Sequence, residues 1–227
     1  MKEQLKIYPV IIMVLFMFFV SHAADPIAII IKSKGSVDVY KPEEAEPRDG
    51  RKGMVLYDGD KIKTAEASFC AIKFVDDKSL LRIKENSSCM IEGKREEEKT
   101  DKNVIVEIGT FFAQLFQPKG KFTITTPTSV ASVKGTQWWT LQLQDGRTIY
   151  ICLEGFLDCG NDAGKFLLKE GQTAIFTSQN LTPEIRLTHP DEIPASEEEA
   201  GRLQTLEIEF KNQDGLTKKL ILDYQEK

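Results

Sequence analysis

From Ile27 to Phe176 the chain sustains no apolar pattern long enough for a convincing helix; glycine, proline and aspartate cut it into short runs. Ser36-Val37-Asp38-Val39-Tyr40 and Lys121-Phe122-Thr123-Ile124-Thr125-Thr126 alternate apolar and polar residues with period two, as strands with one buried face do. Asp58-Gly59 and Asp145-Gly146 are strong turn signals, and Asp76-Asp77-Lys78-Ser79 separates one apolar run from its return. About a dozen such runs recur at roughly 8 to 12 residue spacing. The pattern predicts an all-β fold, an antiparallel sandwich or a jelly-roll or β-helical roll of many short strands.

Three local expectations follow. Ile27–Lys32 and Ser36–Tyr40 read as a hairpin turning near Gly35. Val104–Phe116 reads as two strand segments bending at Gly109, because its start is β-branched and a glycine interrupts it. Tyr150–Cys159 reads as a strand, a turn at Gly155 and a returning strand.

The ends have a different character. Lys2 and Lys6 precede the apolar run Ile7–Val20, and Ser21-His22-Ala23-Ala24 offers small residues for cleavage, so residues 1–23 read as a secretory signal peptide. The run is shorter than the ~20 residues of a spanning helix and contains Pro9, so no stable membrane span is expected after cleavage. Residues 24–177 form the expected β domain. Pro183, Pro190 and Pro194 mark 178–205 as a linker, with one acidic helical turn at Ser196–Ala200. Residues 206–227 read as a C-terminal β-hairpin, Leu206–Phe210 and Leu220–Tyr224 flanking Asp214-Gly215.

Charge and cysteine usage narrow the class. Loss of Lys2, Glu3 and Lys6 with the signal moves the net charge from -5 to -6, which argues against nucleic acid or an anionic membrane as the main partner. The expected location is periplasmic or secreted, where disulfides are permitted. Cys152 with Cys159 is the favoured pair because of the strand-turn-strand reading around them, leaving Cys70 with Cys89; four buried free thiols are the alternative. No CxxC is present to support redox catalysis or a zinc knuckle.

Motifs for bond-breaking chemistry are sparse. Asp58 and Asp60 fall short of the oxygen ligands of a calcium loop and read as turn chemistry. Asp76 and Asp77 are adjacent, so their side chains are expected to point apart rather than converge on one bond. His189 stands in a proline-flanked segment without a nucleophile elbow or an HExxH helix. No catalytic residue, metal ligand or cofactor is assigned, and the chain is not expected to be an enzyme. Trp138 and Trp139 are consecutive on a strand and therefore face opposite ways: one belongs to the core, and the other, with Lys134 beside it, is the candidate ligand or partner patch.

Thr126-Pro127 to Gly135-Thr136 links the two halves of the pattern. Together with Gly35-Ser36-Val37, Gly53 and Leu56, Gly59-Asp60-Lys61-Ile62-Lys63-Thr64, Ser68–Ile72, Asp76–Ile83, Glu154-Gly155-Phe156-Leu157 and Gly171-Gln172-Thr173-Ala174, it resembles the FecR domain family of bacterial envelope proteins over about Ile27 to Ile175. Lys134 stands where the family usually has arginine, and Asp76-Asp77 where it often has Asp-Gly. The resemblance implies an exported β domain that binds or assembles with something in the envelope.

The reading that follows is a non-catalytic exported FecR-like binding and interaction module, recognising an envelope protein or a glycan. The alternatives are a sensory component of a cell-surface signalling relay acting through a separate membrane protein, and a carbohydrate-active β-fold enzyme. The last would need two carboxylates converging in a groove beside a tryptophan.

Overall fold

A computed structural model describes residues 25–96, 99–116, 119–133, 135–194, 203–211 and 217–225. The expected signal peptide and Lys134 lie outside the described residues, as do 195–202 of the expected linker. The strands run β1 (Ala28–Lys34), β2 (Val37–Tyr40), β3 (Arg48–Asp49), β4 (Val55–Leu56), β5 (Asp60–Thr64), β6 (Phe69–Phe74), β7 (Leu80–Ile83), β8 (Ser87–Glu96) and β9 (Lys99–Gln114). They continue as β10 (Phe122–Thr125), β11 (Val130–Val133), β12 (Gln137–Gln142), β13 (Thr148–Glu154), β14 (Phe156–Asn161), β15 (Gly164–Lys169), β16 (Gln172–Phe176) and β17 (Glu184–Leu187). β18 (Leu203–Lys211) and β19 (Thr217–Gln225) pair with each other as a separate hairpin.

The first 17 strands form two sheets joined through β9. The first sheet runs β4-β1-β6-β7-β9-β12-β13-β16-β17. The second runs β3-β2-β5-β8-β9-β10-β11-β14-β15. Neighbours are antiparallel except β9 and β10, which run parallel. The open layered fold meets the all-β expectation of many short strands. A single core lies between the layers, drawing Val39, Ile62 and Ile91 from the second sheet and Ile72, Leu81 and Phe111 from the first. At its centre the Phe122 ring stands edge-on to Phe74 and Trp138, at centroid distances of 5.3 and 5.9 Å.

The chain repeatedly leaves one sheet for the other, and each passage uses a residue at positive φ. Gly35, Gly53, Gly59, Gly109, Gly120, Gly135, Gly155 and Gly171 serve, with Ala67 and Asn86. A left-handed residue turns an extended chain sharply within one step, and glycine does so without a Cβ penalty.

These corners correct two expectations. β1 and β2 are not a hairpin: β1 pairs with β4 and β6, while β2 pairs with β3 and β5 across the core. Likewise β13 pairs with β12 and β16, whereas β14, beyond Gly155, pairs with β11 and β15. A glycine between two apolar runs marks a bend; the geometry on either side decides whether the strands pair or part.

Val104–Phe116 behaves as expected, changing sheets at Gly109. The segment read as linker contributes β17, which pairs with β16, and a short 3-10 turn at Pro190–Glu192.

Candidate functional site

The second sheet turns a hydrogen-bonding face away from the core. Its register sets Glu92, Asn103, Thr123, Ser132, Asp158 and Leu167 side by side across six strands. The Asn103 amide donates to Glu92 at 2.9 Å, and its Oδ1 accepts from the Thr125 hydroxyl at 2.9 Å. Asp58 Oδ1 accepts from the Gly93 amide at 2.9 Å and closes one end. An open groove of about 530 Å³ lies here, lined by Asp58, Glu92, Lys94, Asp101, Asn103, Lys121, Thr123 and Thr125.

The same face runs out to β15, the last strand of the sheet. Thr126 N–H donates to Ser129 C=O at the β10–β11 turn, which sets the alternation of hydrogen-bonded and non-bonded pairs across β11, β14 and β15. By that alternation, Phe166 and Leu168 bond inward to β14, while the backbone groups of Lys165, Leu167 and Lys169 point to the open edge. The Lys169 amide is taken up by Gln172 Oε1 at 2.9 Å. Phe156 and Leu167 stand beside the edge, 59% and 51% exposed. The arrangement is a strand edge with an apolar anchor and a flanking lysine on each side.

Beneath the groove lies a buried ionic cluster. Lys102 Nζ, fully enclosed, donates to both oxygens of Asp76 at 2.8 and 2.7 Å, to Asp77, and to Lys119 C=O at 3.3 Å. Asp77 also accepts from Ser79 N–H at 2.9 Å. Burial pushes the Asp76 carboxyl above its ordinary range and outweighs the Lys102 hydrogen bond that opposes it. Adjacent carboxylates were expected to diverge; the β6–β7 turn instead folds both onto one ammonium. Strand alternation does not hold within a turn, and no sequence signal tied the pair to Lys102, 25 residues from Asp77.

The turn from Thr126 to Ser129 is a structural knot. The Thr148 hydroxyl lies 2.6 Å from both Thr128 Oγ1 and Gln142 Oε1 and 2.9 Å from Thr126 Oγ1. The Tyr150 hydroxyl meets Ser129 at 3.0 Å, and burial raises its pKa. These groups satisfy one another inside the protein, so their hydroxyls anchor the β10–β11 turn to β13.

Trp138 is fully buried in the central core. Trp139 faces the other way, as expected from consecutive strand positions, but it is only 3% exposed, packed at 5.0 Å on Phe112 with Lys84 Nζ 5.9 Å from its ring. Neither indole stands open to a ligand. His189 sits exposed at the start of the 3-10 turn.

The expected disulfides are not formed: Cys70, Cys89, Cys152 and Cys159 are all buried free thiols. The pairing rested on β13 and β14 being a hairpin, and they belong to different sheets. Each of these two thiols meets a carbonyl instead, Cys152 Sγ that of Gly155 at 3.5 Å and Cys159 Sγ that of Phe166 at 3.4 Å. Burial raises all four pKa values, Cys70 and Cys159 to about 12 and Cys152 to about 11. Thiolates are therefore scarce at neutral pH. A thiol-reactive chromogen should label none of the four in the folded protein and all four in denaturant, and reductant should leave the melting temperature unchanged.

Residues 60–157 match the family model described as FecR protein, so the resemblance read from the sequence is borne out over that span. Two crystal structures of a candidate anti-sigma factor from Parabacteroides distasonis are similar in fold, with TM-scores of 0.47 and 0.45 at 14% and 15% identity. In each case the similarity covers 57% of this chain and 59% of the other. No curated protein matches. No helix among the described residues is long and apolar enough to cross a membrane.

Proposed function

Because residues 60–157 match the FecR family model, we propose that this chain is a non-catalytic, exported binding module of the bacterial envelope. It holds a protein partner by pairing the partner's strand with the open edge of β15. The carrying observation is that edge itself, with outward backbone groups at Lys165 and Leu167 and the exposed side chains of Phe156 and Leu167 beside it. Main-chain hydrogen bonds would supply affinity, and the two apolar side chains with Lys165 and Lys169 would supply selection.

Catalysis has less support. The two carboxylates that converge beneath the groove are both engaged by Lys102. A glycan partner would use the groove at Glu92, Asn103 and Thr125 instead of the edge.

The test is Leu167→Pro. Proline removes an N–H that points away from β14, so the domain should stay folded with little change in melting temperature. Retention of a partner from envelope extract by the immobilised chain should be lost. A partner retained equally by both forms would rule out edge pairing, and one displaced by soluble glycan fragments would move the site to the groove.

The family match also favours a second reading, a sensory component of a cell-surface signalling relay. Membrane fractionation with residues 1–23 intact supports the relay. A mature protein starting at Ala24 or Asp25 and free of membrane supports the binding module.

A further inference from the structure

The outer face of the first sheet carries an apolar cluster, flanked by Arg82 over the Phe112 ring and Lys84 near Trp139, where the outside of a sandwich is ordinarily polar and wet. Phe112, Trp139 and Ile151 lie side by side across β9, β12 and β13 and are buried, with Leu141, Ile149 and Leu153 around them. This cluster is distinct from the central core, which receives Phe111, Trp138 and Tyr150 from the same strands. A face of this kind needs a cover.

The chain carries a segment that fits. In the β18–β19 register, Leu206 pairs with Leu222, Ile208 with Leu220, Gln204 with Tyr224 and Phe210 with Lys218, so these positions share one face, apolar at its centre. Thr205, Glu207 and Glu209, paired with Asp223, Ile221 and Lys219, share the other. A two-stranded hairpin is marginal by itself in water and gains stability by laying its apolar face on another layer. Its tether starts in the right place: β17 ends at Leu187 on the edge of this first sheet, two strands from β13 and about 10 Å away. Residues 193–202, beyond the 3-10 turn, can reach roughly 30 Å when extended.

We propose that β18 and β19 lie over the outer face of the first sheet as a third layer, with the Leu206, Ile208 and Leu220 face on Phe112, Trp139 and Ile151. The hairpin then belongs to the domain as its cover and leaves the second sheet's outer face and the β15 edge as the surface open to partners. The inference does not depend on the partner reading above.

A photoreactive phenylalanine at position 208 of the full chain tests it. Irradiation should give an intramolecular adduct that maps to peptides containing Phe112, Trp139 or Ile151. Adducts on β14 or β15, adducts joining two copies, or no intramolecular adduct would overturn the proposal. A second measurement uses the Trp138→Phe background, in which Trp139 alone reports. Adding Ile208→Asp with Leu220→Asp should shift its emission to the red and raise acrylamide quenching severalfold. Unchanged emission and quenching would overturn the proposal as well. The crosslink is read on the unaltered sheet, so it decides the matter even where the double variant loosens the domain.

Discussion

Replacing Lys102 with methionine is expected to destabilise the domain by about 3–5 kcal/mol, the cost of breaking a buried ion pair by removing one partner. The ammonium is fully enclosed and holds Asp76 and Asp77 together, so its loss leaves the fully buried Asp77 and the partly buried Asp76 without that counter-charge. Methionine keeps most of the side-chain volume, which separates the electrostatic loss from a packing loss. Urea unfolding at neutral pH measures the difference directly.

The pH dependence carries a definite sign. The Asp76 carboxyl is raised in the folded state, so the native protein holds this proton more tightly than the unfolded chain does. Its contribution to stability is therefore present in acid and lost as pH rises from the ordinary carboxylate range, about 3.9, through the raised value. Removing Lys102 takes away a hydrogen bond that lowers the Asp76 pKa and so strengthens the trend. The penalty of Lys102→Met should be largest at neutral pH and shrink toward pH 4. A penalty independent of pH would mean that packing dominates.

Gly109→Val should cost a comparable amount. Gly109 has φ +112°, and a Cβ built there would stand 2.1 Å from Ser87 Oγ and 2.5 Å from Ser87 Cα. Ser87 cannot retreat freely, because its Oγ accepts from Thr110 N–H at 3.1 Å and β8 is paired on both sides. Backbone strain of about 1–3 kcal/mol adds to about 1–3 kcal/mol of overpacking, and Val also introduces a β-branch. Gly146→Ala is the control: its φ is also positive, at +91°, but no atom lies within 4 Å. Only the conformational cost of about 1–2 kcal/mol remains there. Equal penalties at the two sites would show that contact with Ser87 matters little. Circular dichroism and denaturant midpoints distinguish these outcomes.

Gly109 also shows how far a local pattern reaches. Val104–Phe116 announced a strand broken by a glycine, and the break is there. That the break hands one strand from the second sheet to the first, leaving β9 common to both, depends on β7, β8, β10 and β12, which lie elsewhere in the chain. Gly35 and Gly155 were read as hairpin turns for the same reason. A positive-φ glycine is compatible with either a returning strand or a corner, and only the available partners discriminate. The disulfide expectation at Cys152 and Cys159 failed with the hairpin from which it was drawn.

The candidate site was less legible still. Phe156 and Leu167 lie in ordinary strand patterns, and their exposure depends on the outer face of the second sheet being left uncovered there. Alternation correctly sent Trp138 and Trp139 to opposite faces, but it could not tell which side of a layered fold would be covered.

The order of apolar residues and turns was enough to show that this chain is all β and that it carries the FecR pattern matched over residues 60–157. These follow from period-two alternation and turn chemistry, which act between residues near in sequence. Which strands pair, which indole meets which layer, and the gathering of Asp76, Asp77 and Lys102 at one site emerged from the folded arrangement alone. Those outcomes depend on contacts between distant segments, whose energies no local pattern records.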